Sequence, residues 1–284
     1  MYPEDAGADP LPPAPGGGSF QSHAGKNLEG IVPLILIIIV VAFLGQRFGF
    51  WQIPFLEQNV PTQMLVIGSP SGELRSVLDE AKTLRLINYR ERDAASFTVN
   101  PRDQLAQYKI VMLDQSNQAD KSISSNLGEA LRYFVSTGGK LVVIKNSAIY
   151  LSSESQGIAS DVVGWRATMG DVVPAECAPG KNSIPTCLTP ITIRGIIFRQ
   201  DFDHEIMEGI EFAPALPDVP PYLLEVFDVT PSDNEIAFVR DVVTGKSYPA
   251  ITEKTLVVGK AIYFNYDPGK TPEIFKKTLK YLSK

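Results

Sequence analysis

Lys109–Tyr150 reads KIVMLDQSNQADKSISSNLGEALRYFVSTGGKLVVIKNSAIY. A continuous apolar run ends at Asp114. Over Ser122–Thr137, Ile123, Leu127, Ala130, Leu131 and Phe134 recur at helical spacing, and Gly138-Gly139 ends that helix. Leu141–Ile144 is a second apolar run, stopped at Lys-Asn-Ser. Strands apolar on both faces and joined through helices belong to a parallel sheet covered on two sides.

The same pattern extends towards the N-terminus. Met64–Gly68 (MLVIG) reads as a buried strand, and Leu74, Val77, Leu78 and Ala81 place a helix over Gly72–Leu84. RLINYR, from Arg85, is a further strand candidate. Towards the C-terminus ITIRGIIF, YLLEVFDV, EIAFVRDV and SYPAITEK are strand-like and separated by turns, and KAIYFNYD is a strong strand. Thr271–Leu282 is a closing helix, with Thr271 as its N-cap and Pro272 at its first position. The expected fold class is α/β: a flavodoxin-like parallel-sheet sandwich with a C-terminal antiparallel extension.

Before that domain, residues 1–29 are rich in Pro, Gly, Asp and Ser and read as a disordered tail. Residues 30–51, GIVPLILIIIVVAFLGQRFGFW, rise roughly 30 Å as a helix, about one hydrocarbon thickness. Phe48, Phe50 and Trp51 form an aromatic belt, and Arg47 can snorkel. The expectation is one transmembrane helix over 30–51, a linker over 52–62 and a folded domain over 63–284. The lipid bilayer is then one partner and the cell membrane the location. An alternative reads AGKNLEG as a pilin-like signal, with Glu29 following a cleavage near Ala24 or Gly25 and the chain as a surface subunit.

The net charge of −6 and pI of about 5.1 argue against a polyanion partner, so no nucleic acid is expected. The two cysteines, Cys177 and Cys187, flank nine residues rich in Pro, Gly, Asn and Ser. Such a loop can close as a disulfide, which favours an oxidising compartment and an N-terminus on the cytoplasmic side; the alternative is two free thiols.

Chemistry-bearing residues are sparse. Ser147 sits on the turn after a buried strand, where α/β enzymes place nucleophiles. The chain has two histidines, His23 and His204. A Ser-His-Asp set would draw on Ser147, His204 and Asp201 or Asp203; the other role for His204 is to cap a turn before Ile206. Asp201, Asp203 and His204 are also metal-ligand types, with a solvated turn as the alternative. Gly68 and Ser69 open a loop that can offer backbone N–H groups to an anion. Asn146, Tyr266 and Asp267 lie just past strand ends, where a ligand pocket would form. No cofactor is expected. Lys276, Lys277, Lys280 and Lys284 give the last helix a basic face, read as solvated or as a contact for acidic lipid or a partner.

Four stretches carry a family resemblance: KIVMLDQS with FVSTGGKLVVI, then DHEIMEGIEF, YPAITEKTLVVGKAIYFNYDPG and PEIFKKTLKYL. Through them Gln63–Lys284 resembles the class I glutamine-amidotransferase-like superfamily, in its trehalose-utilisation-protein-like (ThuA-like) branch. The resemblance implies a Gly-x-Cys-x-Gly elbow with Ser147 at the nucleophile position. Lys145 and Ile149 stand where the glycines belong, and the late His-x-Glu pair is missing. The implied role is that of a pseudoenzyme, binding a ligand or serving as a scaffold subunit of a membrane complex. The competing expectation is a hydrolase or carbohydrate-related enzyme using a pocket near Ser147 and His204.

Overall fold

The computed structural model describes residues 33–41, 60–152, 163–178, 180, 184–215 and 218–284. Met1–Asn59 and Val60–Lys284 are two separate units. In the first unit the described part is a helix over 33–41, which rises roughly 14 Å against the ~30 Å of a hydrocarbon core. Among the described residues no helix is long and apolar enough to cross a membrane. That corrects the membrane span expected over 30–51, and with it the single-pass location and its sidedness. Residues 30–32 and 42–51, the tail 1–29, the pilin-like positions Ala24, Gly25 and Glu29, and most of the linker lie outside the described residues.

The described residues of the second unit form fourteen strands. They are β1 (Thr62–Gly68), β2 (Ile87–Arg92), β3 (Ile110–Asp114), β4 (Ser122–Ile123), β5 (Lys140–Ile144), β6 (Tyr150–Leu151), β7 (Ala175–Cys177), β8 (Ile191–Arg199), β9 (Phe212–Ala213), β10 (Tyr222–Val226), β11 (Val229–Pro231), β12 (Asn234–Asp241), β13 (Ser247–Leu256) and β14 (Gly259–Phe264). Helices α1 (Gly72–Thr83), α3 (Ser125–Ser136) and α5 (Pro272–Ser283) have 12 residues each. Two short turns of helix are α2 (Pro101–Leu105) and α4 (Trp165–Met169).

Ten of the strands form one sheet in the order β10-β8-β12-β13-β14-β5-β3-β1-β2, with β9 also on β8. From β14 to β2 every pairing is parallel; from β14 to β10 every pairing is antiparallel. The fold-class expectation is corrected accordingly. Among the described residues the main sheet is mixed, two-stranded sheets β11-β7 and β4-β6 accompany it, long helices are few, and no membrane helix precedes it. The cause lies in the connections. β12, β13 and β14 are joined by tight turns at 242–246 and 257–258, and such turns can join only antiparallel neighbours. β14 then pairs parallel to β5 and fuses the two halves.

Alternation along the parallel strands sends side chains to two cores. Met64, Val66, Met112, Val142, Ile262 and Phe264 meet α1 and α5 through Leu74, Leu78, Ile274 and Phe275. Leu65, Ile67, Val111, Leu113, Val143 and Tyr263 meet α3 and Trp165 through Leu127, Leu131 and Phe134. Each such fully buried aliphatic side chain contributes about 1.5–3 kcal/mol. Ser71 and Ser124 cap α1 and α3, accepting from Leu74 N at 2.9 Å and Leu127 N at 3.2 Å. Thr271 is the N-cap residue of α5, as expected, but makes no side-chain capping bond: its hydroxyl meets Tyr266 Oη at 2.9 Å. Gly138 takes φ 107° to end α3, a conformation that L side chains resist. Cys177 and Cys187 form a disulfide, with Cα atoms 5.2 Å apart.

Candidate functional site

Parallel pairing brings the carboxyl ends of β1, β3, β5 and β14 to one edge, where ligand sites of α/β sheets gather. Two backbones nearly touch there. A Cβ on Gly68 would lie 2.1 Å from Asp114 O, and Ser69 N donates to that oxygen at 2.7 Å. Gly68 and Ser69 therefore join β1 to β3.

Lys145, the first residue past β5, takes φ 54°, and its N donates to Phe264 O at 2.7 Å. Its side chain is 11% exposed and pairs with Glu225 on β10. Lys145, Thr192, Leu223, Glu225, Asp267 and Lys270 line a cavity of about 250 Å³. Asp267 also accepts from Gly269 N at 2.8 Å, and Lys270 meets Glu73 at 2.7 Å.

Asp114 ends β3 beside this group and is 1% exposed. Its Oδ1 accepts from Ser116 N at 3.0 Å and Ser116 Oγ at 2.5 Å, while its Oδ2 has no partner. Burial pushes the Asp114 carboxyl up to about 6; the Ser116 bonds oppose that, Asp267 adds to it and Lys145 opposes it. Lys121 donates to the carbonyls of Gln115, Ser116 and Gln118 at 2.5–3.1 Å, tying down the loop after β3. Burial holds its ammonium below the ordinary lysine range, and the charge of Lys145 adds to this.

Ser147 is fully buried. Its Oγ accepts from Gln115 N at 2.8 Å and its carbonyl accepts from Trp165 Nε1 at 2.9 Å. The Gln115 amide in turn bonds Ala148 N at 2.7 Å and Ser122 O at 3.0 Å. His204 belongs elsewhere. Ile206 and Met207, which follow it, pack in the α1/α5 core, whereas Ala148 and Ile149, which follow Ser147, pack in the α3 core across the sheet. His204 Nδ1 accepts from Ile206 N at 3.2 Å, the turn cap read from the sequence, and its Nε2 lies 2.8 Å from Glu253 Oε2. The structure does not bring Ser147 and His204 together.

The Asp201 carboxylate accepts from Asn234 Nδ2 at 2.9 Å and from Asp203 N at 3.0 Å. The Asn234 bond is the main reason its carboxyl lies below the usual range. The Asp201 carboxylate and both His204 ring nitrogens are thus already engaged by protein groups, and Asp203 is exposed. Among the described residues no three His, Cys, Asp or Glu side chains are grouped to hold a metal. Tyr266 is buried in the core and Asn146 is a half-buried turn residue, so of the five pocket candidates Asp267 is the one that lines the cavity. Sequence reading missed Asp114, Thr192, Glu225 and Lys270, and took Lys145 only as an obstacle at the turn. A charged residue closing the run IVMLD was the available signal for Asp114; nothing local marks Glu225.

No protein-family model and no curated protein matches the sequence. Solved structures give partial likenesses. A β-galactosidase from Bacillus circulans sp. alkalophilus has TM-score 0.49 and 12% identity, over 77% of this chain and 30% of that one. Agd3, a carbohydrate deacetylase, has TM-score 0.46 and 12% identity, over 78% of this chain and 32% of that one. PurLQS from Thermotoga maritima has TM-score 0.44 and 10% identity, over 78% of this chain and 99% of that one. The chain spans about a third of the β-galactosidases it matches. No family model matches the chain, so the amidotransferase-like, ThuA-like resemblance rests on the sequence stretches alone. At these TM-scores no residue role passes from the solved structures to this chain.

Proposed function

We propose that the Val60–Lys284 unit is a binding module that performs no covalent chemistry at the turn after β5. It takes a small polar ligand in the cavity beside Lys145. The wall offers two ammonium groups and two carboxylates, so the ligand carries both acceptors and donors. A volume of about 250 Å³ lies just under the range of roughly 300–1,000 Å³ typical of small-molecule sites, which leaves room for about eight water-sized groups at ~30 Å³ each.

One observation carries the reading: the Ser147 hydroxyl is fully buried and already accepts the Gln115 N–H. A nucleophile needs access and a base within about 2.6–3.2 Å. The competing reading, a carbohydrate-related hydrolase working through Ser147 and His204, meets a sheet between its two residues. Treatment of the native protein with a fluorophosphonate serine probe, followed by peptide mass mapping, tests the choice. No adduct at Ser147 is expected; a stoichiometric adduct there sinks the binding-module reading.

A further inference from the structure

Among the described residues one face of the antiparallel half of the sheet is only partly covered, with β11 bordering Phe238, Arg240 and Pro249. On β8, Ile193, Gly195 and Ile197 are buried, while Thr192 and Arg194 are exposed and Ile196 and Phe198 half-buried. The alternation continues on β12, where Phe238 and Arg240 stand opposite to buried Ala237 and Val239. Strand register sets these residues in rows. Phe212, Phe198, Phe238 and Pro249 are successive partners across β9, β8, β12 and β13. Ile196, Arg240 and Ser247 form the next row, and Leu223 lies opposite Arg194.

The Phe198 and Phe238 rings stack at 5.4 Å, and the Arg240 guanidinium lies 5.6 and 5.7 Å from their centroids. Nearby carboxylates are committed elsewhere. Glu225 is held by Lys145, and Asp241 by Thr244 within its own turn. Glu235 borders the row at a bulge, and burial raises its carboxyl above the usual range. Arg194 and Arg240 have no ion-pair partner among the described residues. A chain of net charge −6 thus carries an uncompensated guanidinium–phenyl strip.

We propose that this strip docks a short acidic segment of another protein, carboxylates on Arg194 and Arg240 and apolar side chains on the phenylalanine row. Arginine over aromatic rings is the composition of interface hot spots, and guanidinium pairs with carboxylate in bidentate fashion. The size fits a segment: strand spacing near 4.8 Å and a rise near 3.3 Å per residue give about 14 × 20 Å, well below the ~800 Å² of a standard interface. A second copy of the chain would set arginine against arginine. Single-stranded nucleic acid stacks bases on open ring faces, and here Phe198 and Phe238 turn theirs to each other and to Arg240.

Fluorescence anisotropy with the full chain tests the strip, using a labelled peptide of alternating Glu and Phe, its Lys/Phe counterpart and oligo(dT). The Glu/Phe peptide is expected to bind, more weakly as salt rises, and to lose about tenfold in affinity with Arg240→Glu. Exposed Arg194→Glu serves as the second variant, with circular dichroism to verify its fold, and is expected to lose affinity in the same direction. Equal binding of the Lys/Phe peptide, binding of oligo(dT) alone, unchanged affinity in both variants, or no binding of any probe would each overturn the proposal.

Discussion

His204 Nε2 meets Glu253 Oε2 at 2.8 Å, with both side chains 8% exposed. Because His204 Nδ1 accepts from Ile206 N, the neutral ring turns its Nε2–H to the carboxylate. Tyr281 Oη donates to the other carboxylate oxygen at 2.8 Å and Lys260 Nζ lies 3.5 Å from it, so Glu253 ties β13 and β14 to α5. Burial disfavours the Glu253 charge, and the His204, Tyr281 and Lys260 contacts outweigh it, leaving the carboxyl below its ordinary 4.5. A depressed folded-state value means that this stabilisation is present above about 4.5 and lost as pH falls through the folded value. Glu253→Ala strands the His204 and Tyr281 donors and is expected to cost about 1–3 kcal/mol at neutral pH, read by urea unfolding, and to flatten the acid limb of the stability profile.

Asp114 has the opposite sign. Its folded-state value, about 6, stands above the ordinary 3.8, so the folded state holds the proton more tightly than the unfolded one. The charged carboxylate therefore costs stability above about pH 6, and that cost fades as pH falls from 6 to 4. Asp114→Asn keeps an acceptor for Ser116 and removes the buried charge. A gain of about 1–3 kcal/mol at pH 8, and none at pH 4, is expected from chemical denaturation at the two pH values. An equal gain at both would show that the carboxylate is not strained.

The order of legibility follows the range of the interactions. β1, β3 and β5 announce themselves as apolar runs, and α1 and α3 through Leu74/Leu78 and Leu127/Leu131, because burial on a regular element leaves a period in the chain. Partner choice leaves none. Nothing in KAIYFNYD states that it will lie parallel beside KLVVI on one side and antiparallel beside SYPAITEK on the other, so the expected parallel sandwich and its antiparallel extension fuse into one ten-stranded mixed sheet. Asp267 was readable because a strand end is a local fact. The Lys145–Glu225 pair was not, since its members are 80 residues apart. Asn265 was passed over too; it is fully buried and donates to Phe227 O at 2.9 Å and Pro249 O at 2.8 Å.

The Cys177–Cys187 disulfide closes a loop of sequence separation 10, between β7 and the turn that precedes β8. In the chain-entropy picture a closure of this size stabilises by about 2–3 kcal/mol. The Cys177→Ser/Cys187→Ser double variant is expected to unfold at lower urea by that amount with an unchanged m-value. A larger loss, or a changed m-value, would show that β7 and β11 need the cross-link to pair at all.

Ser147 and Lys145 sit two residues apart and separate stability from binding. Ser147→Ala strands the buried Gln115 N–H, at a cost of about 1–3 kcal/mol, and leaves the cavity wall unchanged. Lys145→Gly relieves a left-handed backbone, worth about 1 kcal/mol, and removes an ion pair whose Glu225 side chain is 46% exposed, so stability changes little. The cavity, by contrast, loses one of its two ammonium groups. Thermal shift across a panel of small polar acids, amines and polyols should find ligands that stabilise the parent and Ser147→Ala alike and fail on Lys145→Gly. A ligand that needs Ser147 but tolerates Lys145→Gly would move the site to the serine and remove the cavity from the account.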